Sequence, residues 1–377
     1  MNYVLSIDWL SIHCHYIPAA DGETEWRPAE YDPEAGIFGG GCFRYKLEDF
    51  GTRQFSRLYR VSVPNDEGGW DDFAEVQASP HSGILHRASV IVRFVNRQLY
   101  TPRFWENMSE FLDMNEFRFM GISRVDICAD FNNFECIAPL KLIEDFASKK
   151  LRHIGRGIGA LYFVHGNMRD KLTGEKDYAV KYSGLSFGTH TSDARVYLYN
   201  KSLELLTVKD KPYIRDTWVA AGLDVRNVWR LEISIKSKGC KFKDNTTGKK
   251  IEIDTANTRD HDELAKIYHT FVRRLFSFVP NRKGITNITH EFQKSGLKLF
   301  TPTPIYNRGV IRNISCSNRA ERMILKALYQ LSDTYRGGEI RDAGLLAQEF
   351  AFKIAEATDL SEWMGQKITE WDKPNHK

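Results

Sequence analysis

The chain has few cysteines for its length and no strong excess of either charge. Its 377 residues include Cys14, Cys42, Cys128, Cys136, Cys240 and Cys316, scattered and with no CxxC pair. A chain this long needs no disulfides to hold a core, so the pattern points to reduced thiols in a cytoplasmic protein. Lys and Arg number 53 against 49 Asp and Glu, a net charge of +4. Any nucleic-acid surface must therefore be local rather than global. No apolar run reaches the ~18 to 20 residues that a membrane helix needs, which argues against a membrane partner. The opening MNYVLSIDWLSIHCHY lacks a basic lead and carries Asp8 inside its apolar part, so it reads as a strand rather than a signal peptide. GxxxxGK(S/T), GxSxG and HExxH are also missing, which removes the phosphate loop of ATP enzymes, the hydrolase elbow and the zinc-protease helix. No fixed-period repeat is present.

What is present alternates. YVLSIDWLSI, the Gly-rich GIFGGGCFRY, FSRLYRVSV, ASVIVRFV, ISRVDICADF, RVYLYNK and VWRLEISIK read as strands or turns into strands. LYFVHG and YAVKYSGLSFGT read as β as well. Helices are expected over Thr101–Met114, where Pro102 follows a Thr cap, over Ala138–Lys150, and over about Asp260–Phe278. In the last of these, Leu264, Ile267, Tyr268, Phe271, Leu275 and Phe278 recur every three to four residues, one stripe for a core. Asn318 with Glu321 resembles a capping box, Gly337–Gly338 a break, and AGLLAQEFAFKIAEA a further helix. The expected class is α+β with a mainly antiparallel sheet. An α+β core would span residues 1–255, a helix packing on it 256–300, and a helical C-terminal region 301–377.

Three strand candidates carry polar groups at period two, so each set shares a face. Arg124, Asp126, Cys128 and Asp130 form one set, Arg230, Glu232 and Ser234 another, and Arg195, Tyr197, Tyr199 and Lys201 the third. A carboxylate within an apolar strand is costly unless paired or metal-bound. Should the three strands be neighbours, Asp126, Asp130 and Glu232 converge beside the tyrosines. Hard oxygen donors suit Mg²⁺ or Mn²⁺ and phosphoryl transfer. A phenol is a weak nucleophile near neutral pH until a cation lowers its pKa, a task open to Lys201, Arg195 or a metal. The plainer alternative stays open: Asp126 pairs with Arg124 or Arg230, Glu232 pairs with Arg230, and the tyrosines pack.

His13 and His15 share a strand face, as metal-binding pairs do, but no third or fourth ligand is evident, and an exposed or edge pair is the simpler reading. KSKGCKFKDNTTGKK supplies Lys236, Lys238, Lys241 and Lys243, and VRRLFSFVPNRKG mixes Arg273 and Arg274 with aromatics. Cations can neutralise phosphates and aromatics can stack unpaired bases, though a solvated lysine-rich hairpin has the same composition.

IDWLS at Ile7–Ser11, RVDICADF at Arg124–Phe131, GLSFGT at Gly184–Thr189, YNKSLE at Tyr199–Glu204 and RLEI at Arg230–Ile233 occur in that order. Together they resemble the replication initiation factor family (the Rep_trans group) of rolling-circle plasmids, filamentous phages and conjugative elements, over about residues 5–240. The resemblance implies a relaxase-like core and a site-specific single-strand DNA endonuclease and transesterase. In that family a tyrosine attacks the origin phosphodiester, stays on the 5′ phosphate, and leaves a 3′-OH. It implies Tyr199 as nucleophile with Tyr197 as runner-up. Asp126, Asp130 and Glu232 would be ligands to Mg or Mn, and Arg195, Lys201 and Arg230 phosphate contacts. DNA is the implied partner, and the C-terminal region is open to DNA, a host helicase or a second copy of the chain. A long charged loop between Gly166 and Lys181, and His190–Thr191, depart from the family pattern. A catalytically inactive origin-binding protein of the same fold is the alternative, and a metal nuclease without a covalent intermediate a third reading.

Overall fold

The alternation is cleanest in the strand Phe117–Phe131. Val125, Ile127, Ala129 and Phe131 are fully buried on one side of it, and Arg124, Asp126, Cys128 and Asp130 take the other. The structure, a computed structural model, describes residues 2–17, 26–28, 31–32, 37–40, 42–81, 85–154, 159–162, 184–189, 191–208, 210–281, 295–309, 323–324, 326–328, 341–357 and 360–371.

In chain order the strands of the large sheet are β1 (Tyr3–Tyr16), β2 (Tyr31–Asp32), β3 (Ile37–Gly40), β4 (Phe43–Leu47), β5 (Phe55–Pro64), β6 (Trp70–Pro80), β7 (Ser89–Phe94), β8 (Phe117–Phe131), β10 (Gly159–Tyr162), β11 (Gly184–Phe187), β12 (Ala194–Asn200) and β13 (Trp229–Lys236). They form one 12-stranded sheet in the order β10-β11-β12-β13-β8-β1-β7-β6-β5-β4-β3-β2. Neighbours along it pair antiparallel. Beside it, β9 (Leu151–His153) pairs with β16 (Phe278–Pro280), and β14 (Lys241–Asp244) pairs with β15 (Lys250–Glu252) and β17 (Arg308–Gly309). The architecture is a mixture of helix and antiparallel sheet.

The helices of this unit are α1 (Phe104–Met114), α2 (Pro139–Ala147), α3 (Lys201–Thr207), α4 (Pro212–Ala220), α5 (Thr255–Arg259) and α6 (His261–Leu275). α6 starts where the Asp260 carboxylate accepts from the Asp262 and Glu263 amides, with those acids in the first turn and Arg273 and Arg274 in the last. Both ends thus complement the helix dipole. Its apolar stripe is buried in one core with Val196, Leu198, Leu231, Ile233 and Ile127 of the sheet. The Tyr268 hydroxyl donates to the Leu231 carbonyl at 2.9 Å. α1 buries Phe104, Met108 and Phe111 against Phe94 and Phe43, with ring centroids 5.1 Å apart for Phe94–Phe104 and 5.2 Å for Phe43–Phe111.

The register places Val196 opposite Ile233, and Ile233 opposite Ile127. A slip of one residue would turn this apolar set outward and bury the charged one, so the pairing is strongly specified. β6 and α4 are additions to the elements expected from the sequence, and β8 starts earlier than Ile122. The loop at 166–181, His190, and the capping box and glycine break of the tail lie outside the described residues.

The chain divides into two compact units, Met1–Gly309 and Val310–Lys377. In the second, α7 (Arg341–Ala357) and α8 (Ser361–Trp371) pack through Ala351, Ala355, Leu360 and Met364. Among the described residues no helix is long and apolar enough to cross a membrane.

Phe111 is fully buried between α1 and the sheet. Phe111→Ala removes that ring and leaves a cavity, so it should lower unfolding free energy by about 3–5 kcal/mol, read as a fall in the urea midpoint.

Candidate active site

Four neighbouring strands bring the polar groups together. On the non-core face, Tyr197 lies opposite Glu232 and Glu232 opposite Cys128, while Tyr199 lies opposite Arg230 and Arg230 opposite Asp130. β1 adds Ser6, opposite Cys128. Between Ile7 and Trp9 the β1–β8 register shifts by one. This bulge turns Asp8 to the polar side along with Trp9, a re-aiming that bulges commonly perform.

Arg230 is 0% exposed and forms the floor of the site. Its Nε and Nη2 donate to the two oxygens of Asp130 at 2.6 and 2.7 Å, and its Nη1 donates to Asp8 Oδ1 at 2.5 Å. The Trp218 indole N–H of α4 also donates to Asp130, at 2.7 Å, and the Tyr100 hydroxyl donates to Asp8 at 3.1 Å. A buried charge is tolerable only with such paired, bidentate geometry. Burial pushes the Asp8 carboxyl upward, but Arg230, backed by Lys201 and Lys211, outweighs it and holds the group well below the usual carboxylate range. Leu205, Ile214, Trp218, Leu223 and Val228 roof this end with α3 and α4, against Val4 and Tyr100.

Above the floor sit a phenol and an acid. Tyr199 donates its hydroxyl to Glu232 Oε2 at 2.9 Å. Burial, then the nearby Asp126 and Asp8 carboxylates, lift the Glu232 carboxyl to about 7, against which Arg230 and Lys201 act only partly. Burial first, and Glu232 second, push the Tyr199 phenol well above its ordinary value. Lys201 is buried, pairs with Glu204 at 2.5 Å, and holds its Nζ 5.5 Å from the Tyr199 ring centroid. The Arg195 guanidinium lies 4.8 Å over the Tyr197 ring. The Asn200 side chain caps α3 by accepting from the Leu203 amide, which turns the chain from β12 into the helix and sets Lys201 at its first position.

The expected residues thus share a face, but not every expected role fits. Asp130 has both oxygens engaged by Arg230 and Trp218, so it is a structural anchor rather than a metal ligand. Arg230 is buried and bound to two carboxylates, which removes it as a phosphate contact. Asp126 takes the plainer alternative: Arg124 donates to both its oxygens, at 2.9 and 2.5 Å. Among the described residues no three His, Cys, Asp or Glu side chains form a group able to hold a metal. His13 and His15 are on β1, with β7 on one side and β8 on the other, not at an edge. Their rings are 5.1 Å apart, and both approach the Ser89 hydroxyl, at 3.2 and 3.4 Å. Lys238, Lys241 and Lys243 are exposed on and beside β14, with Lys241 paired to Glu252 at 2.8 Å. Arg273 and Arg274 close α6, and the neighbouring Phe276 and Phe278 are buried in the core, so those rings are not available to stack bases.

Asp8, Tyr100 and Trp218 escaped sequence reasoning as site residues. Asp8 had a usable signal, a carboxylate within an apolar strand. Tyr100 and Trp218 had none, since they reach the site from distant segments. A cleft of about 780 Å³ opens beside the network, lined in part by Trp70, Asn96, Lys211 and Tyr213. Asp71, Asp72, Asp210 and Asp216 also line it, which makes it a poor phosphate pocket.

The Glu232 carboxyl holds its proton more tightly folded than unfolded, where it titrates near 4.5. The stability of the chain relative to Glu232→Gln should therefore fall as pH rises from about 4.5 to about 7 and stay level on either side. Urea midpoints of both proteins between pH 4 and 8 check this. Asp130→Asn leaves the Arg230 charge buried with its main anchor neutralised, and should cost about 3–5 kcal/mol in the same assay.

No family model and no curated protein sequence matches the chain. Among solved structures, a rolling circle replication initiator protein from Geobacillus stearothermophilus is similar over 76% of this chain and 89% of its own, at 12% identity and a TM-score of 0.37. This is a weak structural similarity.

Proposed function

We propose that this chain nicks and rejoins one strand of DNA through a tyrosine, with Tyr199 as nucleophile and Glu232 as its base. The observation that carries the proposal is the 2.9 Å hydrogen bond from the Tyr199 hydroxyl to a carboxylate lifted to about 7. A nucleophile in contact with a base whose pKa lies near the operating pH is the arrangement that general-base catalysis needs. Tyr199 Oη attacks the phosphorus as Glu232 takes the phenolic proton. The bond from phosphorus to the 3′ oxygen breaks, that oxygen takes a proton from a water molecule whose hydroxide is neutralised by the proton Glu232 releases, and the 5′ phosphate stays on Tyr199. Rejoining is the reverse, with the 3′-OH attacking and Tyr199 leaving. The Lys201 charge acts on the phenolate as it forms, and Arg195 faces the phosphate.

Mg²⁺ or Mn²⁺ is part of the proposal: Asp126, with Arg124 turned from it to the substrate phosphate, would hold the ion beside Glu232, which stays the base. Mg²⁺ is commonly bound through one or two carboxylates plus substrate phosphate and water, so a complete protein cage is not required. After burial, the Asp126 and Asp8 carboxylates are what raise the Glu232 carboxyl, and a cation beside them would offset that repulsion. Such an ion would neutralise charge on the phosphodiester. Origin DNA is the proposed partner, and a start to rolling-circle replication or mobilisation the proposed role.

A second reading has a specific observation behind it. Burial keeps the Tyr199 phenol protonated, which fits a packed side chain in a DNA-binding protein without catalysis. Tyr197, directly opposite Glu232, is the other candidate nucleophile. With a supercoiled plasmid carrying the cognate origin and Mg²⁺ or Mn²⁺, wild type should give nicked circles and a covalent protein–DNA adduct. Tyr199→Phe should abolish both, and Glu232→Gln should reduce the rate at neutral pH by about 10²–10⁴. Persistence of the adduct in Tyr199→Phe and its loss in Tyr197→Phe would transfer the role. Absence of nicking by wild type on every origin tried would favour the binding reading.

A further inference from the structure

The register of the sheet lines up a row of charges that no local stretch of sequence reveals. Arg60 of β5 lies opposite Glu75 of β6, and Glu75 opposite Arg93 of β7. Arg93 lies opposite Ser11 of β1, Ser11 opposite Arg124 of β8, and Arg124 opposite Lys236 of β13. At its far end the row gains Lys46 of β4, opposite Arg60. Directly paired residues point to the same side, and this is the side opposite the core, because Val61, Val76, Val92, Ile12, Val125 and Ile235, each next in sequence, are buried. At ~4.8 Å per strand the row spans roughly 29 Å across the sheet. It ends at β13, two residues along the strand faces from the Ser234–Asp126 pair and four from Glu232.

Arg60 pairs with Glu48 at 2.7 Å, Arg93 with Glu75 at 2.6 Å, and Arg124 with Asp126 at 2.5 Å. A plain salt-bridge ladder would alternate signs throughout. This row does so only across Arg60, Glu75 and Arg93. From Arg93 to Lys236 it carries cations with Ser11 alone between them, and Arg124 directly faces Lys236. Like charges directly opposite on a sheet are destabilising. The guanidinium groups are also ordered by aromatic rings. Arg93 and Arg124 approach the Trp9 ring from the strands on either side, at 4.8 and 4.6 Å, and remain 38% and 41% exposed. Arg44, two residues before Lys46, stacks on Trp70 at 3.9 Å, and Arg195 stacks on Tyr197 next to the site.

We infer that this transverse row is the track for single-stranded DNA leading away from the scissile phosphate. The inference rests on the nicking proposal for its origin at Glu232, and its own content is the path. Cations repeat across the strands to meet phosphates, and guanidinium planes held on aromatic rings are set to stack unpaired bases. At ~3.4 Å per stacked nucleotide the row is as long as about eight nucleotides. Duplex readout would call for an element projecting into a groove, whereas these side chains lie on a sheet face. The track differs from the lysine-rich hairpin at β14.

The test is binding of a fluorescent 20-nucleotide oligo-dT to the full chain by anisotropy, across a salt series and without divalent metal. Arg60→Ala and Lys46→Ala change exposed side chains far from Tyr199, so folding is not at stake. Each should weaken binding several-fold and reduce the slope of log K against log salt by about 0.7, the share of one single-strand phosphate contact. Trp9→Ala removes the ring that holds the Arg93 and Arg124 guanidinium groups in place, so it should weaken binding about tenfold with a smaller change in slope, because both charges remain. A duplex of the same length should compete poorly. Wild-type affinity and slope in Arg60→Ala and Lys46→Ala, with the loss appearing instead in Lys238→Ala and Lys243→Ala, would overturn the track. Because binding is read without nicking, track-dependent binding by a chain that never nicks would sink the catalytic proposal alone. Nicking with row-independent binding would sink the track alone.

Discussion

A guanidinium with no exposed surface has to be answered on every side, and Arg230 is answered by Asp130, Asp8 and Tyr100. That requirement ties β13 to β8 and β1 and draws α4 down through Trp218. It also explains the bulge in β1: without the extra residue, Asp8 would not stand on the polar face to meet Nη1. The network is a floor rather than a reaction centre, since its carboxylates are fully engaged.

One residue pair along the strands, conditions reverse. Glu232 shares the burial and the like-charged neighbours of Asp8 but lacks a guanidinium in contact. The two acids are therefore pushed in opposite directions, Asp8 downward and Glu232 up to about 7. Acids driven apart in this way by their surroundings are the usual basis for dividing roles at a site. The acid left able to exchange a proton near neutral pH is the one that receives the Tyr199 hydrogen bond. The rest of the polar face falls into zones by the same logic. α3 and α4 close the end at Arg230, the tyrosines and Glu232 occupy the middle, and the cationic row crosses toward β4. The opposite face packs against α1 and α6, and its register holds all three zones in place.

Much of this was legible. Period-two alternation in RVDICAD, WRLEISIK and RVYLYNK identified three strands and the polar side of each. The three-to-four spacing from Leu264 to Leu275 identified the helix that covers the other side. The roles of individual charges were less legible, because a pattern says which face a group takes but not what meets it. Asp126 and Asp130 look alike in sequence. One is paired with a half-exposed Arg124 and the other is locked under Arg230 and Trp218, a distinction made by residues about 90 to 100 positions away. Aromatic residues near basic ones misled in the opposite sense: Phe276 and Phe278 belong to the core.

The sequence by itself determined the class of the fold, the faces of its strands and the identity of the tyrosines and acids that meet there. Those properties are local, written by alternation and by the cost of exposing apolar groups. Only the tertiary structure decided strand order, the bulge that presents Asp8, the pairing that raises one acid and lowers another, and the alignment of cations from β4 to β13. Those depend on register between strands distant in the chain, where electrostatic energy is set by spatial neighbours.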